Sequence, residues 1–310
     1  MSLFKDLNRL ISNTKELLET IKQDEGKEGK EITHSEKLEQ MIDDGQLTRE
    51  NVQELVNEQK QEVQGMGKIV SELTEATEMT EEQIQMLAQI IQQIGSQENN
   101  TDNKMNNIDE ILQEMSQNGV SSDLVNMLLG ELDEVADQIK QEADEEEEAG
   151  KDAEEIGREE EIEAKEENQA AGEMSELESE TEHADEEAQA AGNKQWDENE
   201  KEMESTESQE ADQLKEDISR SKKEEDQLEE LAEEGEAEAE HTSEEAQHLE
   251  EEAEEARSMI EGSPADSQEV ENELDSVENE AEQAAAEASD AAQEFSAAEN
   301  EAEQAEKAEP

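Results

Sequence analysis

The chain has 310 residues, 97 of them acidic and 23 basic, for a formal charge of −74, and only 1% are aromatic. It contains no Cys, which excludes disulfides, zinc–thiolate sites and thiol nucleophiles together. A compact enzyme core needs aromatic and β-branched material that this chain lacks, so long helices or disorder are expected in its place.

Residues 1–23 depart from the acidity, with Lys5, Arg9, Lys15 and Lys22 against Asp6, Glu16 and Glu19. Leu3, Leu7, Leu10, Leu17 and Ile21 make one helical stripe, which Phe4, Ile11 and Leu18 widen. This helix is expected to pack into an N-terminal bundle; docking on a membrane surface is the alternative. No run approaches the ~18 apolar residues of a membrane span, and the start is not a secretory signal, so a cytoplasmic protein is expected. Gly26 and Gly29 should end the first helix. A short helix over residues 34–43 should stop at Asp44-Gly45, and Thr48-Arg49-Glu50-Asn51 can start the next.

Val52, Val56, Gln59, Val63, Met66, Val70 and Leu73 then recur at spacings of four and three, a heptad seam. Gln59 lies at a core position, where a polar residue can fix register. Thr80-Glu81-Glu82-Gln83 resembles a capping box before Ile84, Leu87, Ile91 and Ile94. Asn99-Asn100-Thr101-Asp102 reads as a loop. Met105, Ile108, Leu112 and Met115 give another helix, closed by Asn118-Gly119, and Ser122 can cap one through Leu124, Leu128, Leu132, Val135 and Ile139.

The chain changes near residue 140. Residues 1–140 hold 30 acids and 12 bases, residues 141–310 hold 67 and 11, and large apolar residues fall from 43 to 17. The organisation expected is a helical bundle or coiled-coil region over 1–140, an acidic and partly disordered connecting helix over 141–210, and a coiled-coil hairpin over 211–310. In the connecting segment Met174, Leu177, Thr181, Ala184, Ala188, Ala191 and Gln195 keep heptad spacing, with a phase slip around 192–196.

Beyond residue 210 the spacing is strict: Leu214, Ile218, Ser221, Glu225, Leu228, Ala232, Gly235, Ala239, Thr242, Ala246, Leu249, Ala253, Ala256 and Ile260. Gly262-Ser263-Pro264 breaks the helix. A second series follows from Val270, Leu274 and Val277 through Ala281, Ala284, Ala288, Ala291, Phe295, Ala298, Ala302 and Ala305. Folding the two back on each other with the tip at 262–265 pairs Ile260 with Val270, and in that register Phe295 meets Gly235, large against small.

The chemistry-bearing motifs are few. His241 and His248 precede seam positions Thr242 and Leu249, which reads as a solvated face, and no metal ligand set or cofactor is expected. No phosphate loop or calcium loop is present, and Gly65-Met66-Gly67-Lys68 sits inside a heptad. Acidic runs would attract cations diffusely, and a chain this poor in Lys and Arg is not expected to bind nucleic acid directly.

These features predict an all-α fold: an N-terminal bundle followed by long acidic coiled-coil helices. The function expected is that of a non-enzymatic coiled-coil scaffold acting by helix–helix association, with itself or a helical partner. Its charge suits a halophilic source, because molar salt shortens the Debye length to ~3 Å and masks the self-repulsion. The alternatives are an acidic nucleic-acid mimic or chaperone that binds basic proteins, and a membrane-surface adaptor using the first helix.

Overall fold

The computed structural model describes residues 2–43, 49–190, 196–265 and 267–308. Among them are five helices and no strand: α1 (Ser2–Asp43), α2 (Arg49–Asn118), α3 (Ser122–Ala190), α4 (Trp196–Ile260) and α5 (Gln268–Ala308). The fold is all-α, built from long helices packed on one another. None of the described helices is long and apolar enough to cross a membrane.

The helices run longer than local signals suggest. Gly26 and Gly29 do not end the first helix, since α1 continues unbroken to Asp43; a glycine inside a helix costs only about 1 kcal/mol against alanine. Nor does α2 start afresh at Thr80 or pause at residues 99–102, being one helix of 70 residues. Thr80 bonds back to the Ala76 carbonyl at 3.2 Å, and Asn99 to that of Gly95 at 2.8 Å. Residues 141–190 continue α3, so the change of composition near residue 140 falls inside a helix. The stops expected at residues 44–48 and the phase slip at 192–195 lie outside the described residues.

Two turns follow the glycine logic. Gly119 (φ 88°) and Gly262 (φ 75°) take the left-handed conformation that follows a helix C-terminus. The Gly119 N–H donates to the Met115 carbonyl, and the Ser263 N–H to that of Ile260. Ser121, not Ser122, caps α3: its hydroxyl accepts from the Leu124 N–H at 3.3 Å.

Four helices carry continuous four–three seams. In α2 the buried seam runs from Val56 through Leu73, Thr77, Thr80, Ile84, Ile94, Glu98 and Thr101 to Met115. In α3 it begins at Val125, not Leu124, and passes Ile139, Glu142, Glu146, Ala153, Glu163 and Met174 to Thr181. In α5 it runs from Leu274 to Ala305. The α1 seam is Phe4, Leu7, Ile11, Thr14, Leu18, Ile21 and Glu25, with Leu3, Leu10 and Leu17 half-buried on its flank. In the first half of α4, Asp217 is fully buried where Ile218 was expected, and Ile218 is half-buried beside it.

The chain divides into two compact units, each assembled from separated stretches: residues 1–8, 85–155 and 228–300, and residues 9–84, 156–227 and 301–310. In the first, Gln97–Glu145, Thr101–Glu142 and Lys104–Glu134 bonds set α2 antiparallel to α3. Arg257 on Asp275 and Gly235 under Phe295 set α4 antiparallel to α5. Its core joins the aliphatic side chains Met105, Ile108, Leu112 and Leu132 to the small residues Ala246, Ala253, Ala256, Ala281 and Ala288. The alanine ribbons of the hairpin thus meet large residues of α2 and α3, which compensates for the little that each methyl buries. In the second unit, Gln59–Thr181, Thr77–Glu163 and Gln83–Glu159 keep α2 antiparallel to α3, and Thr181–Glu207 and Glu167–Ser221 keep α3 antiparallel to α4. Its core gathers Leu18, Ile21, Val63, Met66, Leu73, Met174, Leu177 and Leu214.

Candidate functional site

The interior of each unit is layered with acids, and several of them accept hydrogen bonds from hydroxyls and amides instead of bases. In the second unit Thr77 donates to Glu163 at 2.5 Å and Thr80 to its other oxygen at 3.1 Å. Gln83 donates to Glu159 at 3.0 Å, Ser221 to Glu167 at 3.0 Å, and Thr181 to Glu207 at 2.6 Å. Burial raises the Glu163 pKa from 4.5 to about 7, against these hydrogen bonds, which hold it down. Glu25 goes further, to about 10, through burial and then its contact with Glu166. A carboxylate buried without a cation favours its protonated form.

The densest of these layers is in the first unit, where three helices each bring an i, i+4 pair to one place. The α2 pair is Glu98 and Asp102, the α3 pair Glu142 and Glu146, and the α4 pair His241 and Glu245, with Glu238 one turn before His241. Residues four apart share a helix face, which is why one turn of each helix suffices. Thr101 donates to Glu142 at 2.8 Å and Thr242 to Glu146 at 2.6 Å, leaving the second oxygen of each acid without a hydrogen bond. His241 Nδ1 lies 3.4 Å from Glu98 Oε2, without hydrogen-bond geometry. Ligand atoms of Asp102, His241 and Glu245 all lie within 4.8 Å of one another.

Electrostatically the place is uncompensated. Burial first, then Glu238, Glu146 and Glu245, push Glu98 up to about 10. Burial, then Glu142 and Asp102, push Glu245 up to about 8, and burial raises Glu146 to about 8. The strongest charges acting on these three groups are all carboxylates.

The residues singled out from sequence take three kinds of position. Val56, Gln59, Val63, Met66, Val70 and Leu73 are buried within the chain's own second unit, so that seam is occupied intramolecularly; the Val52 side chain lies outside the described ones. Leu7 is fully buried, while Leu3, Leu10 and Leu17 flank the α1 seam. Gly235 lies under the Phe295 ring, where an added Cβ would stand 2.5 Å from Cζ and 2.7 Å from Cδ1. The histidines separate: His248 is exposed, whereas His241 is half-buried among acids. Both stand one position before a seam residue, but only at His241 do acids of α2, Glu98 and Asp102, lie against that position.

No family model matches the chain, and no curated protein does. Among solved structures, a chain described as a DHF58 filament is 12% identical with a TM-score of 0.18, covering 88% of this chain and 99% of that one. The de novo designed helical repeat protein DHR64 is 13% identical with a TM-score of 0.17, covering 87% and 98%. A chain from the computational design of self-assembling cyclic homooligomers is 12% identical with a TM-score of 0.19, covering 88% and 96%. TM-scores this low share helices but no arrangement of them.

Proposed function

We propose that the chain is a non-catalytic structural protein, an acidic helical bundle that serves as a spacer or scaffold in the salt-rich cytoplasm of a halophilic cell. The observation that carries this reading is the unbroken α2 seam, whose large aliphatic side chains meet alanine-rich neighbours in the first unit and Leu18, Ile21, Met174 and Leu214 in the second. Among the described large hydrophobic residues Met127 is the exposed one, and the others lie buried or half-buried between helices. The grooves among the described residues mix polar and small apolar side chains, as at Glu236, Ala239, Glu240, Ser243, Ala292 and Gln293. Substrate sites are normally concave and mostly apolar.

A charge of −74 opposes compaction in dilute buffer and is masked at molar ionic strength. Circular dichroism with light scattering, from dilute to multimolar KCl, tests the reading. Helix content and a cooperative melt should grow with salt and reach a plateau, at a mass that reports the assembly. A chain that stays coil-like in concentrated KCl ends the scaffold reading.

A further inference from the structure

We propose that Asp102, His241 and Glu245 form a binding site for a borderline divalent cation of the Zn2+ or Fe2+ type, with Glu98 placed to join them. The site depends on the folded first unit and not on the scaffold reading.

Three observations carry it. The donor set is one imidazole nitrogen and two carboxylates, which suits such ions better than the all-oxygen shells of calcium or magnesium. Their ligand atoms already lie within 4.8 Å of one another, whereas ligands on an ion at about 2.1 Å stand about 3.4 Å apart. Glu245 supplies the independent sign: it is only 6% exposed, no hydroxyl, amide or base donates to either of its oxygens, and it is turned towards the Asp102 carboxylate and His241.

The setting agrees with this. The free oxygens of Glu142 and Glu146 face the same layer from α3. A divalent ion would offset several of these carboxylate charges at once. Diffuse condensation on the acidic surface requires neither His241 nor a buried Glu245, so the two kinds of binding separate by mutation.

The probe is Co2+, added to chelator-treated full-length protein in multimolar KCl. Its visible ligand-field bands report inner-sphere coordination, and elemental analysis after desalting gives the stoichiometry. Wild-type protein should saturate at one equivalent per chain. His241→Ala and Glu245→Gln should each weaken binding more than about tenfold, and His248→Ala should leave it unchanged. Glu245→Gln removes an unpartnered buried charge and should keep its helix content, with His241→Gln as the size-conserving check. Absence of saturable bands in wild-type protein, or an unchanged spectrum in His241→Gln and Glu245→Gln, overturns the site.

Discussion

Glu163 offers the sharpest test of the acidic interior. It is 2% exposed at the centre of the second unit, bonded by Thr77 and Thr80 and 3.5 Å from the Ser221 hydroxyl, with Asp217 and Glu224 as its charged neighbours. Each threonine hydroxyl also reaches its own i−4 carbonyl, Leu73 at 3.1 Å and Ala76 at 3.2 Å, and one proton cannot serve two acceptors. Glutamine at 163 resolves the competition. Its carbonyl accepts from Thr77, and its amide donates to Thr80, whose proton then turns to Ala76.

The magnitude follows from linkage. Folding raises the Glu163 pKa from 4.5 to about 7. The folded state therefore holds a proton that the unfolded chain releases. The stability this contributes is complete below pH 4.5 and is lost as pH rises through 7. Between about pH 5 and pH 8.5 the wild-type protein should lose about 2.5 kcal/mol through this residue alone. Glu163→Gln does not titrate and escapes that loss. Denaturant unfolding in constant multimolar KCl should find the two proteins nearly equal at pH 5 and the variant more stable by about 2–3 kcal/mol at pH 8.5. Part of that gain reflects relief of Glu224, which Glu163 helps to push up. A variant equally destabilised at both pH values would refute the reasoning, because Glu163 would then act as an ionised acceptor.

Other perturbations test other links. Gly235→Ala gains about 1 kcal/mol of helix propensity but crowds the Phe295 ring, at a cost of about 1–3 kcal/mol, so thermal unfolding should show net destabilisation. In a Phe295→Leu background the same change should turn stabilising, and an unchanged sign would mean the ring does not stand over residue 235. Phe295→Ala alone should cost about 3–5 kcal/mol in denaturant unfolding. Gly119→Ala and Gly262→Ala each force alanine into positive φ and should cost about 1 kcal/mol. Immobilised full-length protein should capture no basic proteins at molar KCl; saturable capture there would favour the nucleic-acid mimic over the spacer.

What the sequence discloses and what it hides divide along chemical lines. Where seam positions are apolar, as from Leu274 to Ala305, spacing alone places every buried residue of the helix. Where they are polar, the same four–three rhythm is written in residues that also spell turns and caps. Thr77, Thr80, Glu98 and Thr101 are seam residues of α2, yet Thr80 and Thr101 read locally as a helix start and a loop. Their partners, Glu163, Thr242 and Glu142, lie 41 to 144 residues away. No window of one or two turns contains that information, and tertiary burial overrides local propensity. The cluster around His241 is hidden for the same reason: it needs one turn from each of three helices, and each pair alone looks like a solvated acidic face.

The choice of hydroxyls as partners for buried acids has a physical logic in concentrated salt. Lys and Arg could neutralise the acids, but exposed ion pairs contribute little even in dilute buffer and less when the Debye length nears ~3 Å. The cross-helix ion pairs here are of that weak kind: Lys104–Glu134 and Arg257–Asp275 are substantially exposed, and Lys151–Glu294 spans 4.0 Å. A Thr–Glu hydrogen bond of 2.5–2.8 Å inside a seam is short-ranged and sheltered from ions. It also sets register, because slipping one helix by a heptad would set Thr77, Thr101 and Thr242 opposite other residues and strand their acids. Polar layers of this kind reduce stability while excluding wrong pairings. Alanine seams need that exclusion most, since one alanine layer resembles the next and volume alone distinguishes few registers.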